Sequence, residues 1–155
     1  MSIVNVVTLD GPSGAGKGTL GVSIANKLSY NYLDSGVFYR ALAVAAERHN
    51  VDLNDKKGLK KLANNLDIFF QVEFASIIKL FLEGEDVTRE LMLESTASRA
   101  SILALDFGVR AALTARQRLF AISPGLVADG RDMGTVVFPN ATLKFFLTAN
   151  IETRA

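Results

Sequence analysis

The sequence predicts an α/β fold with a parallel sheet flanked by helices, and three observations predict it. Short, almost continuously apolar stretches at 3–9 ("IVNVVTL"), 125–129 ("GLVAD") and 142–149 ("TLKFFLTA") suit strands buried on both faces. Helix-patterned segments separate them. Between the first strand and the first helix stands "TLDGPSGAGKGTL" (8–20), with four glycines around one lysine.

Taken in order, Ile3 to Leu9 is the first strand. Leu20, Ile24 and Leu28 then recur at four-residue spacing and predict the buried stripe of an amphipathic helix. "YNYL" (30–33) reads as a short second strand. "DSGVFYRALAVAAERHN" reads as a helix entered through an Asp/Ser cap. A Lys-rich helix follows at 56–66. At "DIFFQVEFASIIKLFLEGEDV" the period changes: Phe70, Val72 and Phe74 alternate with polar neighbours, as do Ile78, Leu80 and Leu82. Period two predicts a small antiparallel excursion from the main sheet. Residues 89 to 121 return to helix, with Val109, Leu113, Arg116 and Phe120 on one face. "GLVAD" and "TLKFFLTA" supply two more buried strands. No internal repeat or low-complexity segment interrupts the pattern.

The chain has 155 residues, of which 49% are hydrophobic and 21% charged, enough for one domain with a core. A net charge of +1 gives no bulk attraction to nucleic acid or to a membrane surface, so neither is expected as a partner. The absence of cysteine excludes disulfides and thiolate metal sites. The N-terminal stretch has no basic region or cleavage site of a signal peptide. No apolar run approaches the roughly 20 residues that cross a bilayer. A cytoplasmic location is expected.

Gly11, Gly16 and Lys17 fit the pattern G-x-x-x-x-G-K. Glycine permits the positive-φ turns that aim successive N–H groups inward, and it removes side chains that would obstruct a phosphate. The helix that follows offers its positive end to the same anion. Lys17 adds a mobile charge for the outer phosphates. The flanking strand and helix patterns distinguish this loop from a plain glycine turn. Gly18 stands where the usual pattern places a hydroxyl for Mg²⁺, and Thr19 is the nearest substitute. The ending "GKGT" argues against a GTPase or motor ATPase, where that position is Ser or Thr, and resembles nucleoside monophosphate kinases.

Taken together, "TLDGPSGAGKGTL", "LDSGVFYRALA", "LEGEDVT" and "LVADGRDMGTVVFP", in this order across nearly the whole chain, closely resemble the bacterial cytidylate kinase family. The resemblance implies a P-loop NTPase-type sheet, with the antiparallel excursion lying in a nucleotide-monophosphate-binding insert. It implies transfer of the ATP γ-phosphate to CMP or dCMP, with Mg²⁺ accompanying ATP; a monomer is expected. Gly11, Pro12, Ser13, Gly14, Ala15, Gly16, Lys17, Gly18 and Thr19 would hold ATP phosphates. Arg40 would bind the acceptor phosphate, with Ser35 close to the monophosphate. Ser101 and Arg110 would meet the cytosine, Arg131 phosphate, and Asp132 the base. The whole chain, 1–155, reads as a single domain with its core at 1–34 and 122–155 and its acceptor region at about 35–121.

These roles agree with the chemistry of the residues. Two phosphorylated anions repel, and Lys17, Arg40 and Arg131 supply three cations from separate segments to offset that repulsion. Lys17 and Arg131 are the catalytic candidates, since phosphoryl transfer needs positioning and charge stabilisation above all. The acceptor is already an anionic oxygen, so no general base is required. His49, in "ERHN", reads as a solvated surface residue. Cytosine pairs an amino donor with ring acceptors, which suits Asp132 and Arg110 together; uracil would set a carbonyl against the carboxylate.

Several residues carry two readings. Asp129 is either a strand-end carboxylate acting on water-bound Mg²⁺, with Thr19 the other metal candidate, or a cap on the next turn. Arg110 shares a helix with Arg116 and Arg118, so its own pattern suggests a solvated face, which the resemblance reverses. Glu83, Glu85 and Asp86 suggest either a metal site or, more simply, a turn with capping acids. The alternatives to a cytidylate kinase are a phosphate-loop kinase for UMP, AMP or a small alcohol, and a nucleotide-binding piece without turnover. The family's arginine-rich lid and C-terminal part lie beyond "NIETRA", where Arg154 would open the lid helix. The 155 residues alone are expected to turn over poorly, with an exposed sheet edge.

Overall fold

The computed structural model describes residues 3–73, 77–150 and 152. The chain divides into two compact units, Met1–Ser35 with Val72–Ile77 and Gln117–Ala155, and Gly36–Gln71 with Ile78–Arg116.

The first unit is a four-stranded parallel sheet with an α-helix. Its elements are β1 (Val6–Asp10), α1 (Lys17–Leu28), β2 (Asn31–Asp34), β6 (Leu126–Gly130) and β7 (Leu143–Phe146), in the strand order β2-β6-β1-β7. Val7 pairs with Val127, Asp10 with Gly130 and Leu33 with Ala128. β1 and β6 are central and therefore buried almost throughout, with Leu9, Leu126, Val127 and Ala128 fully buried. Their adjacency places the loops that leave their carboxyl ends side by side. That is where ligands bind in open parallel sheets.

Two expectations need correction here. α1 buries Gly21, Val22 and Ala25, not the stripe of Leu20, Ile24 and Leu28. Leu20 and Leu28 are 41% and 46% exposed. The helix lies close to the sheet through small residues: a Cβ on Gly21 would stand 2.8 Å from the Tyr32 ring and 3.3 Å from Leu9. β7 is the second correction. It pairs in parallel with β1, yet all four of its residues are exposed, because it is the last strand of the sheet among the described residues.

The second unit holds most of α2 (Ser35–Arg48), which begins at the last residue of the first unit's opening segment. Phe38, Ala41, Leu42 and Ala45 of α2 are fully buried. α3 (Lys56–Asn64) starts at Asp55, whose carboxylate accepts from the Gly58 N–H at 2.9 Å. The small sheet has the order β3 (Ile68–Glu73), β4 (Ile77–Leu82), β5 (Glu85–Asp86), and β4 and β5 run antiparallel. Leu80 and Leu82 are buried as their alternation predicts, and Phe70 packs on Phe38 with ring centroids 5.7 Å apart. Phe74 and the side chains of Val72 and Ile78 lie outside the described residues, as does Arg154.

The "LEGEDVT" segment is a hairpin turn, with Glu83 and Gly84 both at positive φ. Asp86 accepts from the N–H and hydroxyl of Thr88 at 2.9 and 2.6 Å, which is the capping reading of those acids. His49 is half-exposed, as its sequence context suggests, but it is paired with Glu83 at 2.6 Å. The helix expected over 89–121 is three helices: α4 (Thr88–Leu91), α5 (Glu94–Leu103) and α6 (Phe107–Arg118). Asp106 restarts the chain by accepting from the Val109 N–H at 2.9 Å. Val109 and Leu113 are fully buried on α6 as predicted, while Phe120 lies beyond its end.

Candidate functional site

The site in the first unit is built on the carboxyl ends of β1 and β6. β1 ends at Asp10, and residues 11–16 then turn into α1 through Gly14 at φ 77° and Gly16 at φ 84°. Gly16 is the N-cap of α1, and no side chain caps it. The first N–H groups of the helix are therefore left to an external acceptor, as an anion site requires. Gly11 has a different cause. A Cβ there would run into the carbonyl oxygen of Leu147, at the end of β7. Lys17 folds back over this loop, its Nζ donating to the Pro12 carbonyl at 2.9 Å.

From the end of β6 comes "DGRD". Arg131 Nη2 donates to the Ser13 hydroxyl at 2.8 Å, across 118 residues of sequence. Two of the sequence-predicted cations thus act on one glycine loop. Ser35 is 7% exposed, with its Cβ 3.0 Å from where a Cβ on Gly130 would be, so it lies beside the start of "DGRD". Asp132 caps a π-helical turn, Met133–Val137, its carbonyl accepting from Val136 and Val137 at 2.9 and 3.2 Å.

Asp129 is 5% exposed and accepts from the Tyr32 hydroxyl at 2.9 Å. Burial first, and then the charges of Asp34 and Asp10, raise its carboxyl to about 6, while the Tyr32 hydrogen bond and Lys17 oppose the rise. Burial and the Asp129 and Asp34 charges push the Tyr32 phenol well up in turn, so it stays a donor. A Cβ on Gly18 would lie 3.8 Å from Asp129 Oδ2 and 3.9 Å from the Tyr32 hydroxyl, so the residue without the usual hydroxyl faces this pair. Thr19 is exposed in the first turn of α1. Among the described residues no three His, Cys, Asp or Glu side chains gather as a metal site. A divalent cation carried by phosphates, touching Thr19 and Asp129 through water, fits this donor set; a protein-only cage does not.

Sequence reasoning missed Tyr32, Asp10 and Asp34. Asp10 joins β1 to the turn that follows "DGRD", its two oxygens accepting from the Met133 and Gly134 N–H groups at 2.8 Å each. A sequence signal existed for Asp10 in the motif itself, but none for Tyr32, whose partner is 97 residues away.

The other acceptor-side residues belong to the second unit. Arg40 donates to the Leu91 carbonyl at 3.1 Å, at the end of α4. Ser101 bonds back to the Ala97 carbonyl at 3.0 Å on an exposed face of α5. Arg110 donates to the Ala104 carbonyl at 3.3 Å and is exposed, the surface placement its own pattern suggests. An open groove of about 570 Å³ also lies in this unit, lined by Asp67, Phe69, Gln71, Phe81 and Gly84, none of them a predicted site residue.

Comparison with known proteins agrees with this architecture. A family model described as Cytidylate kinase matches residues 7–155. The cytidylate kinase of Aliivibrio salmonicida is 59% identical over 150 residues, covering 97% of this chain and 66% of its own. That of Vibrio cholerae is 57% identical over the same length and coverage. That of Pseudomonas fluorescens is 53% identical over 155 residues, covering 99% of this chain and 68% of its own. The chain thus spans about two thirds of the length of the curated relatives it matches.

Proposed function

The chain belongs to the cytidylate kinase family, and on that premise we propose that it carries the phosphate loop and acceptor-side residues of an ATP-dependent CMP/dCMP kinase. The observation that carries the reading is the Arg131–Ser13 hydrogen bond, which sets the cation of "DGRD" on the glycine loop that already holds Lys17. Two cations on one loop suit two phosphates that must approach against their mutual repulsion.

In this reading Gly11 to Thr19 receive the ATP phosphates on the α1 N–H groups. Lys17 leaves the Pro12 carbonyl for the outer phosphates, since a charged acceptor outcompetes a neutral one. Arg40, Ser35 and Arg131 take the acceptor phosphate; Ser101, Arg110 and Asp132 take the cytosine. An oxygen of the acceptor phosphate forms a bond to the γ-phosphorus as the bond to the β–γ bridging oxygen breaks, and ADP leaves. Mg²⁺, when bound with ATP, supplies charge neutralisation of the phosphates; Thr19 and Asp129 are the residues that would meet it, through water.

The test is ADP release with a panel of acceptors. CMP and dCMP are expected to react well ahead of UMP and AMP; equal rates with CMP and UMP would remove Asp132 and Arg110 from base recognition. Lys17→Ala is expected to lose on the order of 10²–10³ in turnover, the scale for one preorganised electrostatic contact. Turnover retained by that variant refutes the assignment of the loop. A second reading, binding without transfer, is tested by calorimetry with CMP and ATP on the 155-residue polypeptide.

A further inference from the structure

Asp10 has no part in the transfer just described, yet its side chain makes two buried polar contacts in the first unit. It ends β1 and directly precedes Gly11 of the phosphate loop. It is 7% exposed, and its Oδ1 and Oδ2 accept from the successive N–H groups of Met133 and Gly134, both at 2.8 Å. A carboxylate across two adjacent donors at the start of a helical turn satisfies groups that otherwise have no partner. It also makes charge-assisted bonds, stronger than neutral ones.

The backbone of the same residue is fixed as well. Asp10 is the register partner of Gly130, and its carbonyl accepts from Leu147 at 2.8 Å. Arg131 and Asp132 are the two residues between Gly130 and Met133. The pairing of β1 with β6 therefore sets Gly130 on one flank of that pair, and the Asp10 side chain holds Met133 and Gly134 on the other. The turn beyond is held at its far end by Arg118, which donates to the Val137 and Val136 carbonyls at 2.9 and 3.0 Å. Gly134 also packs tightly, a Cβ there standing 2.8 Å from the Thr8 hydroxyl.

We propose that Asp10 is the positioning residue that sets Arg131 and Asp132 relative to the phosphate loop, and so governs acceptor affinity and base preference. The proposal rests on the kinase reading above. In this reading the residue acts through the two-residue span between Gly130 and Met133.

Asp10→Asn keeps the shape but sets an amide nitrogen against one of the two N–H donors. In the full-length protein the KM for CMP is expected to rise about tenfold or more and the preference over UMP to fall, while the KM for ATP changes less than about threefold. Val22→Ala, a core change in α1, serves as the control: it lowers the unfolding midpoint and leaves both KM values unmoved. An Asp10→Asn enzyme with wild-type CMP affinity and preference, altered only in its unfolding midpoint, overturns the proposal. Backbone amide resonances give an arm independent of turnover. The signals of Arg131 and Asp132 are expected to move in the variant along with those of Met133 and Gly134. Changes confined to Met133 and Gly134 overturn it. If the wild type transfers phosphate to no monophosphate, the kinase reading fails, and the amide arm still decides whether Asp10 sets the pair.

Discussion

Asp129 couples protonation to stability, and the sign follows from its surroundings. Its carboxyl titrates at about 6 in the folded protein, against 3.8 when unperturbed. Between those values the native state binds more protons than the unfolded chain, so this contribution is fully present below about pH 4 and is lost as pH rises through 6. Its upper bound is about 3 kcal/mol, from roughly two pH units at 1.36 kcal/mol each. Asp129→Asn removes it. Urea unfolding from pH 4 to 7 is expected to show the Asn variant gaining on the wild type across that window; a constant gap would mean that Asp129 titrates normally. Tyr32→Phe deletes a bond that opposes the rise and is expected to move the window to higher pH. The placement of Lys17 and Arg131 at the glycine loop was legible in the sequence because each stands in a local motif, the loop itself and "DGRD". Tyr32 was not, because its role exists only once β2 lies beside β6.

At the scale of elements, α1 shows where periodicity misleads. Four-residue spacing of Leu20, Ile24 and Leu28 is a helical signal, and the helix is there, but the sheet is met by its small residues. Hydropathy ranks leucine above glycine for burial; close approach reverses the order, since only a missing side chain lets the Tyr32 ring lie against Gly21. Gly21→Ala tests which effect wins. Helix propensity favours Ala by about 1 kcal/mol, while overpacking costs about 1–3 kcal/mol. Tyr32 is 3% exposed and tied to Asp129, so it cannot move aside. Net destabilisation of about 1 kcal/mol is expected in denaturant unfolding, and it should vanish in a Tyr32→Ala background, as a double-mutant cycle requires. A stabilising Gly21→Ala would show that α1 moves outward freely. The break of 89–121 into three helices was hidden for a related reason: Asp106 caps α6 from within an apolar, helix-compatible run.

At the scale of the molecule, β7 raises a question of covering. It was legible as a strand from its apolar run, which also predicted burial, and burial depends on what lies beside it. Leu143, Phe145 and Phe146 are 53%, 47% and 70% exposed, and among the described residues β7 has one strand neighbour, β1. The curated relatives are about half as long again as this chain, so they carry additional chain that can cover such a face. A strand edge with aromatic side chains is a template for association. A net charge of +1 offers little repulsion to prevent it. The 155-residue polypeptide by itself is therefore expected to bind an apolar dye and to associate as its concentration rises, measured by sedimentation. Phe146→Lys should weaken both effects without changing the unfolding midpoint by more than about 0.5 kcal/mol, the usual scale for an exposed position. A 155-residue polypeptide that stays monomeric and dye-silent at every concentration would show that β7 needs no further partner.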